Sequence, residues 1–104
     1  FSLTRAALRV MIPRGSGSVI NISSMSALYG LTQVAAYSSS KTALLGLTRT
    51  LASEYSHTGI RFNAVAPGFI ESAMFLQIME ADPARKARIL SRTPAGRFGT
   101  PADI

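Results

Sequence analysis

The chain has 104 residues, of which 47% are hydrophobic, and a formal net charge of +6. This length allows one modest core, and no apolar run is long enough to span a bilayer, so we expect a soluble protein with no membrane partner. The chain contains no cysteine, which excludes disulfides and fits a cytoplasmic protein.

The positive charge raises the question of nucleic-acid binding. The one basic cluster is formed by Arg85, Lys86, Arg88 and Arg92, and its spacing is typical of a solvated helix face. No aromatic residues interleave with it, as stacking on bases would require. The acidic residues and the single histidine, His57, are dispersed. We therefore expect neither a nucleic-acid partner nor a metal site.

The first half of the chain predicts helix, strand, helix and strand. Residues 1–13 form an amphipathic helix with Leu3, Ala7, Val10 and Met11 on its apolar face, ended by Pro13 and two glycines. The apolar run 18–23 is typical of a central strand buried on both faces. Residues 35–57 form a long helix, whose apolar face contains Leu44, Leu47, Leu51 and Tyr55. A second strand follows at 60–66.

A strand, a long helix and a strand make a βαβ unit, in which the strands run parallel. We therefore predict an α/β fold with a doubly wound, Rossmann-like parallel sheet. Ser24 follows the first strand, Pro67 and Gly68 follow the second, and Tyr37 lies in the first turn of the helix between them. These residues are expected at the sheet edge where open α/β sheets bind ligands.

Residues 68–104 form a helical region that we interpret either as a substrate loop or as an ordinary packing insertion. A short apolar helix is expected at 71–80. Asp82-Pro83 is a helix-start signal, followed by a basic helix over 83–92. Thr100-Pro101 signals a further helix start.

Tyr37 and Lys41 carry the candidate chemistry, because residues four apart share one face of a helix. A tyrosine has an unperturbed pKa of about 10, and a neighbouring ammonium favours the phenolate. Lowering such a pKa to about 7 requires about 4 kcal/mol, so a second positive charge or exclusion of water is needed as well. With the Ser24 hydroxyl holding the substrate oxygen, such a pair suits proton transfer between an alcohol and a carbonyl.

Three motifs occur together in the chain: Ile22-Ser-Ser24, Tyr37-x-x-x-Lys41 and Asn63-Ala-Val-Ala-Pro67-Gly68. Their order and spacing resemble those of the short-chain dehydrogenase/reductase family, and the resemblance covers nearly all of the chain. It implies that Ser24 holds the substrate oxygen, that Tyr37 exchanges the proton, and that Lys41 assists Tyr37 and binds the nicotinamide ribose. The implied cofactor is NAD or NADP, and its oxidised ring would supply the second positive charge.

The resemblance also implies a cofactor loop. Pro67, Gly68 and Ile70 would lie along the nicotinamide, with the backbone of Ile70 meeting the carboxamide, and Ser72 stands where many relatives carry a cofactor-binding threonine. The family's glycine-rich turn and the residue that separates NAD from NADP would lie upstream of this sequence, and the family's last strand would lie downstream. We therefore expect an internal piece of a longer protein.

The segment from Arg92 to Gly99 resembles relatives that act on sugars, sugar acids and polyols, and also 3-oxoacyl reductases. A small-molecule alcohol or carbonyl is the implied substrate. In the family the helices that match the first and second helices of this chain pack against a neighbouring subunit, so a dimer or tetramer is expected. The small-residue stripe of Ala36, Ser40 and Ala43 fits such packing, and it fits intramolecular packing equally well.

Three other functions compete with this interpretation. Ser38-x-x-Lys41 matches a β-lactamase nucleophile motif, but its companion motifs are missing and Ser38 would point about 100° away from Tyr37 on the helix. A non-catalytic binding or regulatory member of the same fold is the second, because fold alone does not fix activity. An epimerase or dehydratase relative, which recycles its cofactor, is the third.

We predict that residues 1–104 alone neither bind dinucleotide tightly nor turn over, because the expected cofactor half is absent from them. The absorbance of NADH or NADPH, followed with the isolated chain, checks this. Measurable NAD(P)H oxidation would contradict it.

Overall fold

The computed structural model describes all 104 residues, which divide into two compact units, Phe1–Ala66 and Pro67–Ile104. The first unit contains helix α1 (Ser2–Arg14), strand β1 (Gly17–Ile22), helix α2 (Ala35–Tyr55) and strand β2 (Ile60–Val65). The second contains helix α3 (Ala73–Ala81) and helix α4 (Pro83–Ser91). Short 3₁₀ turns occur at Met25–Ala27, Ser56–Thr58 and Pro101–Asp103. None of the helices is both long and apolar enough to cross a membrane.

Strands β1 and β2 form a two-stranded parallel sheet. Its register runs from Gly17 opposite Ile60 to Ile22 opposite Val65. The α/β fold with a parallel βαβ unit, predicted from the sequence, is confirmed. Parallel pairing brings the carboxyl ends of both strands to the same edge, so Ser23 and Ser24 leave the sheet where β2 also ends.

The core of the first unit lies on one face of this sheet. It is formed by Leu8 from α1, Leu51 from α2 and Ile60 and Phe62 from β2. Both helices therefore pack on the same side. The expectation that the first strand is buried on both faces is wrong within the first unit, because none of this unit's own elements covers the second face: Ile20 is 58% exposed there.

The apolar face predicted for α1 is partly wrong. Leu3 and Val10 are 83% and 59% exposed, whereas Leu8 is buried and Met11 packs against the core. The inward face passes through Ala7, Leu8 and Met11, which follow the i, i+1 and i+4 positions of one helical stripe. Leu3 has helical spacing to Ala7 and Val10, but it lies five positions before the buried Leu8, on another side of the helix.

Two glycines in the left-handed conformation end the helices of the first unit. Gly15 closes α1 with φ 63°, and its N–H donates to the carbonyl of Ile12 at 3.0 Å. Helix α2 ends at Tyr55 rather than at residue 57, because the 3₁₀ turn Ser56–Thr58 follows it and ends at Gly59 with φ 83°. Positive φ at these positions favours glycine, which has no Cβ to clash.

The second unit is held together by aromatic packing and by capped helices. Phe75 meets Phe98 edge to face, with ring centroids 4.9 Å apart, and stacks with Phe69 at 6.0 Å. The helix start predicted at Asp82 is confirmed, since its carboxylate accepts the N–H of Arg85 at 2.9 Å. The start predicted at Thr100-Pro101 is confirmed as a short 3₁₀ turn.

We predict that Gly59→Ala destabilises the protein by about 1–3 kcal/mol, because alanine resists positive φ and its Cβ would clash with the carbonyl oxygen of Gly15. Urea unfolding of the protein as encoded by its gene measures this. Gly46→Ala is the control: Gly46 lies inside α2 with open space around it, so alanine should leave stability unchanged or raise it by up to about 1 kcal/mol. Equal midpoints for both variants would show that neither the positive φ nor the close approach to Gly15 requires glycine at position 59.

Candidate active site

Three hydrogen bonds join helix α2 to residues 21–23, at the carboxyl end of β1. Asn21 Nδ2 donates to Thr48 Oγ1 at 2.9 Å. The Ser23 hydroxyl donates to the backbone carbonyl of Lys41 at 2.8 Å, and Lys41 Nζ donates to the carbonyl of Ile22 at 2.9 Å. The last two bonds run in opposite directions between the same two segments, so the amino-terminal part of α2 is fixed against the carboxyl end of the strand.

This fixation places the Lys41 ammonium beside Tyr37. Lys41 Nζ lies 5.7 Å from the centroid of the Tyr37 ring, within the range of a cation–π contact. Tyr37 is 49% exposed, so its phenol is accessible to a ligand. The two side chains are therefore brought together as the four-residue spacing predicts, and the main chain at Ile22 holds the cation in place.

Ser24 is placed as a hydrogen-bond donor. It is 9% exposed, and its Oγ accepts the N–H of Ser26 at 3.2 Å and the hydroxyl of Ser26 at 3.1 Å. A serine hydroxyl has two acceptor lone pairs and one proton. Because Ser26 occupies both lone pairs, the Ser24 proton remains available for an external oxygen.

In the second unit the backbone N–H and carbonyl of Ile70, here called its peptide edge, have no hydrogen-bond partner in the chain. Residues 69–71 pair with Gly99: the Gly99 N–H donates to the carbonyl of Phe69 at 2.9 Å, and the Glu71 N–H donates to the carbonyl of Gly99 at 2.7 Å. In such a parallel bridge the N–H and carbonyl of the central residue point to the opposite side. Ile70 accordingly makes no backbone hydrogen bond within the chain.

The remaining residues of the predicted cofactor loop take different positions. Pro67 and Gly68 follow β2 after a single intervening residue, Ala66. Ser72 caps α3, since its hydroxyl oxygen accepts the N–H of Phe75 at 3.2 Å. That bond occupies one lone pair and leaves the Ser72 proton available.

Two serines in the site were not identified from the sequence. Ser26 saturates the acceptors of Ser24, and Ser23 anchors the helix that carries Tyr37. Ser23 is 3% exposed, although it follows the strand in a polar stretch. Serines of this kind are enriched in turns in general, so their presence in a polar loop gave no sign of a specific role.

The Ser38-x-x-Lys41 motif does not form a nucleophile pair in this structure. The Lys41 ammonium donates to the carbonyl of Ile22, and Ser38 Oγ is buried without a hydrogen-bond partner. An activated serine needs its base within hydrogen-bond reach, so this arrangement gives no support to the hydrolytic alternative.

The family model described as enoyl-(acyl carrier protein) reductase matches residues 1–104, the whole chain. The chain belongs to the short-chain dehydrogenase/reductase family. The family's fold accounts for the parallel βαβ unit and for the helix-borne Tyr37 and Lys41.

Three members of the short-chain dehydrogenase/reductase family illustrate the similarity. Inactive 2-(S)-hydroxypropyl-CoM dehydrogenase 2 of Xanthobacter autotrophicus is 45% identical over 107 residues, covering 100% of this chain and 46% of the relative. The 2-dehydro-3-deoxy-D-gluconate 5-dehydrogenase of Bacillus subtilis is 45% identical over 104 residues, 100% of this chain and 41% of its own length. A crystal structure from Beutenbergia cavernae, assigned as an NAD(P)-dependent gluconate 5-dehydrogenase with NADP at low occupancy, superimposes with a TM-score of 0.90 at 44% identity. The superposition covers 97% of this chain and 40% of the Beutenbergia cavernae chain. The chain thus spans less than half the length of these relatives.

We predict that Ser23→Ala lowers the free energy of unfolding by about 1 kcal/mol, because a buried hydroxyl-to-carbonyl bond is lost while the carbonyl keeps its helical partner. Urea unfolding of the gene-encoded protein measures the change. Ser40→Ala is the matched control, since the exposed Ser40 hydroxyl bonds only to the carbonyl of Tyr37 in its own helix. A Ser23→Ala midpoint equal to that of Ser40→Ala would show that Ser23 does not anchor α2.

Proposed function

We propose that this chain is the catalytic part of an NAD(P)-dependent oxidoreductase that interconverts an alcohol and a carbonyl. The observation that carries the proposal is the position of the Lys41 ammonium, bonded to the carbonyl of Ile22 and 5.7 Å from the Tyr37 ring centroid. A fixed cation beside an accessible phenol stabilises negative charge on the phenol oxygen while a proton is exchanged with an alcohol or carbonyl oxygen.

Each residue of the proposed triad has a distinct role. Tyr37 takes the hydroxyl proton during oxidation of the alcohol and returns it to the oxygen during reduction of the carbonyl. Ser24 donates its proton in a hydrogen bond to that same oxygen, because its lone pairs are occupied by Ser26. Lys41 stabilises the negative charge on the Tyr37 oxygen. These roles divide proton transfer, orientation and electrostatic support among three side chains of one unit.

Each unit, taken by itself, contains groups that would suit part of a nicotinamide dinucleotide. An ammonium has three protons, and Lys41 uses one of them on the carbonyl of Ile22, so two remain for the hydroxyls of a ribose. Ile70 has an unpaired N–H and an unpaired carbonyl, which match the acceptor and donor of a carboxamide. Pro67, Gly68 and the Ser72 hydroxyl would add further contacts. The cofactor, NAD or NADP, would accept or supply the hydride at the substrate carbon.

We propose a polar small-molecule substrate of the sugar, polyol or sugar-acid class, with 3-oxoacyl compounds as the alternative. The name of the Bacillus subtilis relative supports the first class, and the carrier-protein description of the family model supports the second. Helices α3 and α4 would form the substrate loop. The exposed Met74 and Ile78 on α3 give this segment apolar side chains able to contact a ligand.

A non-catalytic function is the second candidate, because one relative at 45% identity is named inactive. Such a protein would keep the fold and lose turnover. The presence of Ser24, Tyr37 and Lys41 together in this chain favours catalysis over that alternative. An epimerase or dehydratase would differ from a reductase by showing no net consumption of NAD(P)H.

We also propose a cytoplasmic homo-oligomer, either a dimer or a tetramer. The family's use of its long helices in subunit contacts supports this, together with the exposure of Leu3 and Val10 on α1 and of Ala36, Ser40 and Ala43 on α2. Apolar and small side chains on one helix surface allow close approach of another helix.

We predict that Tyr37→Phe lowers turnover at least about 10²-fold, because phenylalanine cannot exchange a proton with the substrate. The change is measured as NAD(P)H-linked turnover of the gene-encoded protein with sugar-acid, polyol and 3-oxoacyl substrates. Thermal unfolding should stay within a few degrees of the wild type, since the exposed hydroxyl makes no hydrogen bond within the chain.

Tyr55→Phe is the matched control, because Tyr55 lies at the far end of the same helix and packs against Phe62 with ring centroids 6.2 Å apart. Its turnover should equal that of the wild type. A Tyr37→Phe variant that retains full turnover would contradict the proposed acid–base role and favour the non-catalytic candidate.

A further inference from the structure

The segment 97–103 holds an ion pair that the proposed function leaves unexplained. Arg97 and Asp103 form a bidentate pair, with Nη1 to Oδ2 at 2.9 Å and Nη2 to Oδ1 at 3.1 Å. It is the only salt bridge in the chain. The carboxylate also accepts the N–H of Thr100 at 2.6 Å and its hydroxyl at 2.9 Å.

Both partners also reach the peptide groups on either side of Gly99. Arg97 Nη1 donates to the carbonyl of Phe98 at 2.9 Å, and that carbonyl belongs to the same peptide group as the Gly99 N–H. The Thr100 N–H that binds Asp103 belongs to the same peptide group as the Gly99 carbonyl. Because each peptide group is planar, fixing one end orients the other end.

The other ends of these two peptide groups pair with residues 69–71. The Gly99 N–H bonds to Phe69, and the Gly99 carbonyl bonds to Glu71. This pairing leaves the N–H and carbonyl of Ile70 on the opposite side, without partners in the chain. Gly99 permits the close approach, since a Cβ at this position would lie 2.5 Å from Cδ1 of Ile70.

We propose that Arg97 and Asp103 are positioning residues for the nicotinamide cofactor, acting through Gly99 to present the peptide edge of Ile70 to the carboxamide. This inference rests on the proposed function and assigns a role to two residues that do not themselves touch the cofactor. The pair orients the Ile70 edge before binding, so that less ordering is needed when the ligand arrives.

The charge state of this pair is constant over the physiological range. Hydrogen bonds from Arg97 and from Thr100 hold the pKa of the Asp103 carboxyl well below its usual range. A carboxyl with a depressed pKa contributes its stabilisation above its ordinary, unfolded pKa and loses it only as pH falls through the depressed value. The positioning effect should therefore be independent of pH between about 5 and 9.

Arg97→Gln in the gene-encoded protein tests the inference with two readouts. Amide hydrogen exchange at Gly99 and Glu71 should become at least about 10-fold faster, because the hydrogen bonds of these two N–H groups are no longer stabilised by Arg97. The dissociation constant of NADPH or NADH, whichever the wild type binds, should rise about 10-fold. The dissociation constant of ADP-ribose or its 2′-phosphate should not change, because these probes lack the nicotinamide.

Two further variants act as controls. Arg97→Lys keeps a cation opposite Asp103 but cannot form the two parallel bonds of the guanidinium. Its affinity for NADPH or NADH should lie between those of Arg97→Gln and the wild type. Arg85→Gln removes the same charge from the exposed face of α4, where the side chain makes no ion pair, and should change neither readout. Thermal unfolding should move little in all three variants, since an exposed ion pair adds little to global stability.

Every other outcome overturns the inference. Unchanged exchange in Arg97→Gln would show that the pair does not hold Gly99, and faster exchange with unchanged NAD(P)H affinity would show that the Ile70 edge is not positioned for a cofactor. An equal loss of ADP-ribose affinity would show that the substitution weakens the binding site as a whole and not the contact of Ile70 with the nicotinamide. If the wild type binds no dinucleotide at all, the proposed function fails together with this inference, whereas a failure confined to the variant leaves the proposed function standing.

Discussion

The hydrogen bond from Lys41 Nζ to the carbonyl of Ile22 is the interaction on which the candidate chemistry depends. A lysine side chain is long and flexible, and on an exposed helix it would sample many positions. Here the strand end fixes its head group, and the reciprocal bond from Ser23 to the Lys41 carbonyl fixes its backbone. Tyr37 therefore has a cation at a defined place beside it, and such preorganisation is what its proposed acid–base role needs.

The second unit repeats this principle with peptide groups instead of side chains. Gly99 pairs with the neighbours of Ile70, so the peptide edge of Ile70 is turned outward and left unpaired. The bidentate ion pair of Arg97 and Asp103 supports that pairing from the far side. In both units, groups of the proposed site are held in place by hydrogen bonds of neighbouring residues.

Local signals in the sequence predicted the elements well. The cap at Asp82, the glycine at Gly59 and the apolar face of α2 each act within a few residues, so spacing and residue type are sufficient to identify them. Features that depend on tertiary contacts were missed. The inward side of α1 is set by where Leu8 meets the core, and the role of Ser26 depends on a turn geometry that no composition reveals. The Lys41 anchor likewise joins residues 19 positions apart.

Cofactor binding by a Lys41→Met variant of the gene-encoded protein is the most direct measurement. Methionine keeps an unbranched side chain of similar length inside α2 and removes the ammonium that we propose binds the ribose hydroxyls and supports Tyr37. We predict that the affinity for NADPH or NADH falls at least about 10-fold, with the thermal midpoint within a few degrees of the wild type. Unchanged cofactor affinity in a folded variant would contradict the proposed binding of NAD(P) by Lys41 and the proposed oxidoreductase site that depends on it.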